Sequence, residues 1–161
     1  MMSETHLHLV VNHVAILGVV FSFLLALAGI IFRSVDLKKA ALFGVVISAL
    51  ATAIVFKTGE GAEESVEELP GVSESAIEEH EEAADVALWM TVVAGAAAAM
   101  ALFVTFSKKA MPEKLFLLFA LATLLASAQL VRVGLLGGKI HHIELGSAGT
   151  AGAVEQEGEE D

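Results

Sequence analysis

Four stretches of this chain run for 17 to 24 residues without a single Asp, Glu, Lys or Arg: Leu9 to Phe32, Ala40 to Phe56, Val86 to Phe106 and Leu115 to Val131. A helix rises about 1.5 Å per residue, so about 20 residues cross the roughly 30 Å hydrocarbon core of a bilayer. The two shorter runs are completed by Lys57 and Arg132, whose long side chains reach back to the interface. The expected fold is all-α, an integral membrane four-helix bundle occupying residues 1–145. Its helices are expected at about 9–32, 40–57, 75–106 and 115–136, with an acidic outer loop at 58–74 and an acidic tail at 146–161. Composition agrees: 56% of the residues are hydrophobic, 18% are charged and the mean hydropathy is +0.74. That excludes a disordered chain and disfavours a soluble bundle.

The chain has no cysteine, which excludes disulfides, thiolate zinc, iron-sulfur clusters and covalently attached haem. Any cofactor must be held by His, Met, Asn or carboxylate groups. No phosphate-binding loop, zincin motif or Ser-His-Asp order is present, so hydrolases and nucleotide enzymes are disfavoured. The residues before the first apolar run carry Glu4 and no Lys or Arg, unlike a cleaved signal peptide, so this run is expected to persist as a helix.

Net charge is -11, from 9 Lys+Arg and 20 Asp+Glu, and the charges are segregated. Arg33, Lys38 and Lys39 join the first two helices, and Lys108, Lys109 and Lys114 join the last two. The opposite side holds only Lys57, Arg132 and Lys139. The positive-inside rule then places both termini and the long connection on the outer, periplasmic side of a bacterial inner (cytoplasmic) membrane. On that side, Thr58 to Asp85 holds eleven acids and no Lys or Arg, and Glu144 to Asp161 adds six acids. Such a surface is first of all a solvated face. It also suits a cationic periplasmic electron carrier, because opposite charge raises encounter rates, and it excludes nucleic acid as a partner.

Within the acidic segment Pro70-Gly71 is a turn signal and Ser75-x-x-Glu78 reads as a capping box opening the third helix. From there Ile77, His80, Ala84, Ala87, Leu88, Thr91, Gly95 and Ala98 recur at spacings of three and four, a stripe that faces the bundle. The run Ala94 to Ala99 contains only Ala and Gly, which lets a neighbouring helix approach closely.

All six histidines, His6, His8, His13, His80, His141 and His142, fall on the outer side under this topology. His6 and His8 are compatible with a polar N-terminus, and adjacent His141 and His142 point in different directions. His13, a turn inside an apolar span, and His80, on an apolar stripe at similar depth, are harder to dismiss, since an unpaired polar group there is costly. One reading is a structural hydrogen bond. The sharper reading is ligation of a b-type haem by His13 and His80, with His142 and His8 as substitutes or as a second pair and Arg132 neutralising a propionate. Its competitor is a divalent metal ion held by the same histidines with Glu60, Glu63, Glu81 or Glu144. No Glu-x-x-His spacing supports a ferritin-like di-iron centre. A transporter is disfavoured, because no charge lies at mid-membrane.

The residues His8 through His13, Thr58-Gly59-Glu60, Ala62-Glu63, Ile77 to Ala84 and Leu136 to Leu145 resemble a family of bacterial membrane proteins catalogued as domain of unknown function 2231. The resemblance spans nearly the whole chain, and the closing Gly-Gly-x-Ile-x-His-x-Glu is its most distinctive part. It implies a four-helix protein with outer termini and singles out His8, His13, His80 and His142, with Glu144 beside the last. Relatives often carry a proline soon after the Asn-His, where this chain reads Val14-Ala15. Similar domains occur joined to cytochrome c or rubredoxin-like modules, which implies redox company.

Two expectations for function follow. One is a membrane redox protein that binds b-type haem near its outer face and passes electrons to or from a quinol or periplasmic carrier. The other is a non-catalytic metal-binding or assembly subunit packed against other membrane subunits. The topology beneath both has a direct test: a reporter fused after Glu160 should behave as periplasmic, and one inserted between Lys38 and Lys39 as cytoplasmic. A cytoplasmic C-terminus overturns the orientation.

Overall fold

Helix boundaries follow from where the chain can cap itself. The computed structural model describes residues 4–67, 73–106 and 112–141. Its elements are α1 (Glu4–Ile31), α2 (Val35–Glu67), α3 (Glu74–Phe106) and α4 (Glu113–His141). α1 ends in a Schellman turn: Arg33 N–H donates to the Ile30 carbonyl at 3.3 Å and Ser34 N–H to the Gly29 carbonyl at 3.1 Å, with Arg33 at φ 52°. Ser34 then caps α2, its hydroxyl accepting from the Leu37 N–H at 3.3 Å. This single residue closes one helix and opens the next. As a result α2 starts at Val35, and Lys38 and Lys39 belong to its first turns instead of preceding it.

Two boundaries differ from expectation. α2 continues through Glu67, so the segment from Thr58 onward is helical for most of its length instead of being a loop. Ala and Glu are strong helix formers, and Gly59 and Gly61 weaken the helix without ending it. Pro70-Gly71 lies outside the described residues. α3 begins at Glu74, not Ser75, because the Ser73 carbonyl already accepts from Ala76 N–H at 3.0 Å and Ile77 N–H at 3.2 Å. The Ser75 hydroxyl bonds to that of Ser73 at 2.8 Å instead of capping the helix.

The helices pack in sequence order, α1 on α2, α2 on α3 and α3 on α4, and α4 closes the ring against α1. α1 and α3 are therefore diagonal, as are α2 and α4. Short connections alternate the helix directions, so the start of α1, the end of α2, the start of α3 and the end of α4 share one end of the bundle.

The interior is built from small residues. Ala15, Ala26, Ala41, Ala87, Ala98 and Ala126 are buried, together with Ser22, Ser48, Thr52, Thr91, Thr123 and Ser127. Each of these six hydroxyls donates to the carbonyl four residues earlier in its own helix, so none is left unpaired. Phe116, Leu42, Val19 and Val45 fill the space between them, and most of the other large apolar side chains face outward: Phe21 is 62% exposed and Trp89 68%. Water would not tolerate an apolar surface of that extent, and lipid requires it. All four helices are long and apolar enough to cross a membrane, the distribution expected of a multi-pass membrane protein. On α3 the buried face runs through Ile77, Ala83, Ala87, Thr91, Ala94, Gly95, Ala98 and Leu102, close to the expected stripe, with Ala84, Leu88 and His80 half-buried at its edge.

The tightest seam is reciprocal. Gly18 of α1 lies under Ser48 of α2, and Gly44 of α2 lies under Ser22 of α1, and a Cβ on either glycine would collide with the facing serine. Both helices thus carry a Gly-x-x-x-Ser pair, the small-xxx-small pattern that brings membrane helices into contact. On the next seam a Cβ at Gly95 would stand 2.5 Å from the Ala49 Cβ. Gly18→Val and Gly44→Val should each lower the stability of the detergent-solubilised protein by about 1–3 kcal/mol. Gly138→Ala, where an added Cβ meets nothing within 4 Å, should be near neutral. Unfolding midpoints check this, and a Gly44→Val midpoint equal to the native one sinks the account of the seam.

Candidate functional site

At the end of the bundle shared by the start of α1 and the end of α4, all four helices line a cavity of about 690 Å³ with mostly apolar walls. Two histidines enter it from the diagonal helices. His8 stands in the second turn of α1. Its Nδ1–H donates across the seam to the Val55 carbonyl of α2 at 3.1 Å, with the Thr58 hydroxyl oxygen 3.4 Å away as a second acceptor. The Thr58 hydroxyl donates in turn to the Val55 carbonyl at 3.0 Å and the Ile54 carbonyl at 3.1 Å. His80 stands in the second turn of α3, and its Nδ1–H donates to the Val133 carbonyl of α4 at 3.1 Å. Because a carbonyl can only accept, both rings carry their proton on Nδ1. Each neutral imidazole therefore holds its lone pair on Nε2.

Each histidine also faces a glycine one helical turn beyond its carbonyl partner. A Cβ at Gly59 would lie 3.7 Å from His8 Cε1, and one at Gly137 would lie 3.1 Å from His80 Cε1. The two half-sites match: α1 and α3 each supply the imidazole, and α2 and α4 each supply Val-x-x-x-Gly, Val55 to Gly59 and Val133 to Gly137. Gly134 and Gly138 extend the glycine face of α4, and a Cβ at Gly138 meets open space. Just below, Gln129 Nε2 donates to the Ala83 carbonyl at 2.9 Å and ties α4 to α3.

The other expected site residues divide clearly. His13 lines the cavity wall but is exposed, and its Nδ1–H donates within its own turn to the Leu9 carbonyl at 2.7 Å. Among the described residues no neighbouring helix bonds to that ring, whereas His8 and His80 each bond to a carbonyl of the helix beside them. Glu81 lies on the cavity wall and is exposed. Arg132 is turned away, pairing with Glu79 at 3.5 Å on a surface where both side chains are more than half exposed. Glu60 and Glu63 belong to the last turns of α2, and their side chains, like that of His141 and all of His142 and Glu144, lie outside the described residues. Among the described residues, no three His, Asp or Glu side chains converge closely enough to hold a metal ion.

Sequence reasoning missed the acceptors. A backbone carbonyl has no residue signature, and the only written trace of this one is the Val-x-x-x-Gly repeated near the ends of α2 and α4. Chemically, the site offers two preoriented neutral nitrogen donors from opposite walls of a cavity with a glycine face on α4. No protein-family model, curated protein or solved structure matches the chain.

Proposed function

We propose that this protein is a redox protein of the bacterial cytoplasmic membrane, holding a b-type haem between His8 and His80 and exchanging electrons with a quinol or a periplasmic carrier. The observation that carries the reading is the matched pair of imidazoles, each with Nδ1–H committed to a backbone carbonyl and Nε2 left as the donor. That second bond fixes ring orientation and raises the basicity of the ligating nitrogen, as it does for metal-bound histidines in general. Two nitrogen donors would suffice for a haem iron, whose remaining ligands the porphyrin would supply. A bare divalent ion usually takes three or four protein ligands, which here would have to include Glu60, Glu63, His142 or Glu144.

The surroundings suit a flat, apolar group. Gly134, Gly137 and Gly138 interrupt the apolar side chains of the α4 wall, a Cβ at Gly138 meeting open space, and the cavity volume lies within the range of sites for small molecules and cofactors. Bound there, haem would supply reversible one-electron chemistry. The chain's own residues bind, orient and exclude water: Val55 and Val133 hold the rings, the apolar walls lower the local dielectric, and the reciprocal α1–α2 seam keeps His8 in register with Val55. His13, at the wall, is available as a replacement donor. The six-to-three asymmetry of basic residues supports a periplasmic placement, and the acidic segment beyond Thr58 supports a cationic carrier as partner. The resemblance to a family found joined to redox modules points the same way.

Protein purified from haem-replete cells should show a Soret band with sharp low-spin α and β bands on reduction. His8→Ala and His80→Ala should each abolish that spectrum or convert it to high spin, whereas His13→Ala should leave it low-spin. Gly138→Leu keeps both imidazoles and the fold but fills the cavity, and should lose the haem. Colourless native protein carrying stoichiometric zinc, copper or iron would transfer the site to the metal-binding subunit reading.

A further inference from the structure

At the opposite end the bundle closes over a second cavity, of about 560 Å³, whose walls include Arg33, Lys38, Lys39, Glu113 and Phe116. The cations there are not equivalent. Lys38 is only 18% exposed, bonds to the Glu113 carboxylate at 2.6 Å and lies 5.0 Å from the centre of the Phe116 ring, so its charge is matched. Arg33 and Lys39 have no carboxylate partner among the described residues. The cavity therefore carries an excess of two positive charges on one wall.

Arg33 is also unusual in its backbone. It occupies the left-handed position that closes the Schellman turn, at φ 52°, where glycine is the favoured residue because a Cβ is disfavoured. The turn by itself calls for Gly, so an arginine there is explained by what its side chain does. Around the cavity the surface is apolar: Phe32 is 74% exposed, Val35 60% and Phe106 70%. A ligand for this place has to be anionic where it meets Arg33 and Lys39 and apolar immediately beside them. We propose that the cavity binds the phosphodiester headgroup of an anionic phospholipid, with Arg33 and Lys39 on the phosphate and the acyl chains against the apolar surface around Phe32. A free phosphate would meet the charges but not the apolar rim. Basic recesses between membrane helices are the general setting for such headgroups. The site is independent of the histidine cavity, which lies at the other end of the same helices.

The test uses the full chain in a neutral detergent. Phosphatidylglycerol added to the micelles should raise the thermal unfolding midpoint, while phosphatidylcholine, or inorganic phosphate at the same concentration, should not. Arg33→Gly relieves the turn and should fold at least as well as the native protein without lipid, yet bind phosphatidylglycerol about fivefold more weakly; combined with Lys39→Gln the loss should be about thirtyfold. Equal stabilisation by phosphatidylcholine overturns the proposal, and so does a double variant with native affinity. Stabilisation by inorganic phosphate equal to that by the lipid reduces the cavity to a plain anion site and also overturns it.

Discussion

Every part of this structure depends on helices approaching one another closely where water does not drive them together. In lipid the large apolar side chains gain little by turning inward, so the helix seams are assembled from what permits contact, Ala, Gly, Ser and Thr, with Leu42, Val45, Phe116 and Leu130 filling the space between. The reciprocal pairs Gly18–Ser48 and Gly44–Ser22 show the rule at its tightest, and the buried hydroxyls solve their own polarity by bonding within their helix. This leaves Phe21, Trp89 and Met100 on the outside, where they suit hydrocarbon. The same close approach brings the Val55 carbonyl within 3.1 Å of His8. A bulkier seam would move α2 away and leave that imidazole unheld.

Much of this architecture was legible because membrane helices announce themselves by length. Uncharged runs of 17 to 24 residues place four spans regardless of how they pack. Helix ends were less legible, since they depend on capping, and several residues compete for the role. Ser34 serves two helices at once, and the Ser73 carbonyl accepts the first bonds of α3 ahead of the better-matching Ser75 motif. The acidic stretch after Thr58 continues α2 to Glu67, because glutamate is compatible with a solvated helix as long as no proline intervenes, and charge alone does not separate such a helix from a loop.

The site was legible in part. Histidines gathered at one end followed from topology, and His80 on the inward stripe followed from periodicity. Which ring on α1 bonds to the neighbouring helix did not, because depth along a helix says nothing of which way a ring turns. His13 and His8 differ by five residues, which rotates them by about 140° around α1. Only His8 comes under a carbonyl of α2, and His13 bonds back within its own turn. The direction of Arg132 was hidden for the same reason: its neighbours Val131 and Val133 line the wall, while its own side chain pairs with Glu79.

The matched half-sites bear on how the bundle divides its work. Because α1 with α2 and α3 with α4 present the same imidazole, carbonyl and glycine arrangement, a ligand between them would meet similar surroundings on both sides. All of this lies at one end. From His13 to Ile31 the helix α1 offers no further ionisable side chain over about 27 Å of rise. Under the redox reading, an electron reaching the histidine cavity has no second station in this chain on the way to the basic end. It must leave on the face where it arrived, either to a carrier in the aqueous phase or to a quinol in the same leaflet. The acidic residues that crowd that face, and the unbroken apolar helices beneath it, both fit a protein that exchanges charge at one surface and leaves transfer across the membrane to others.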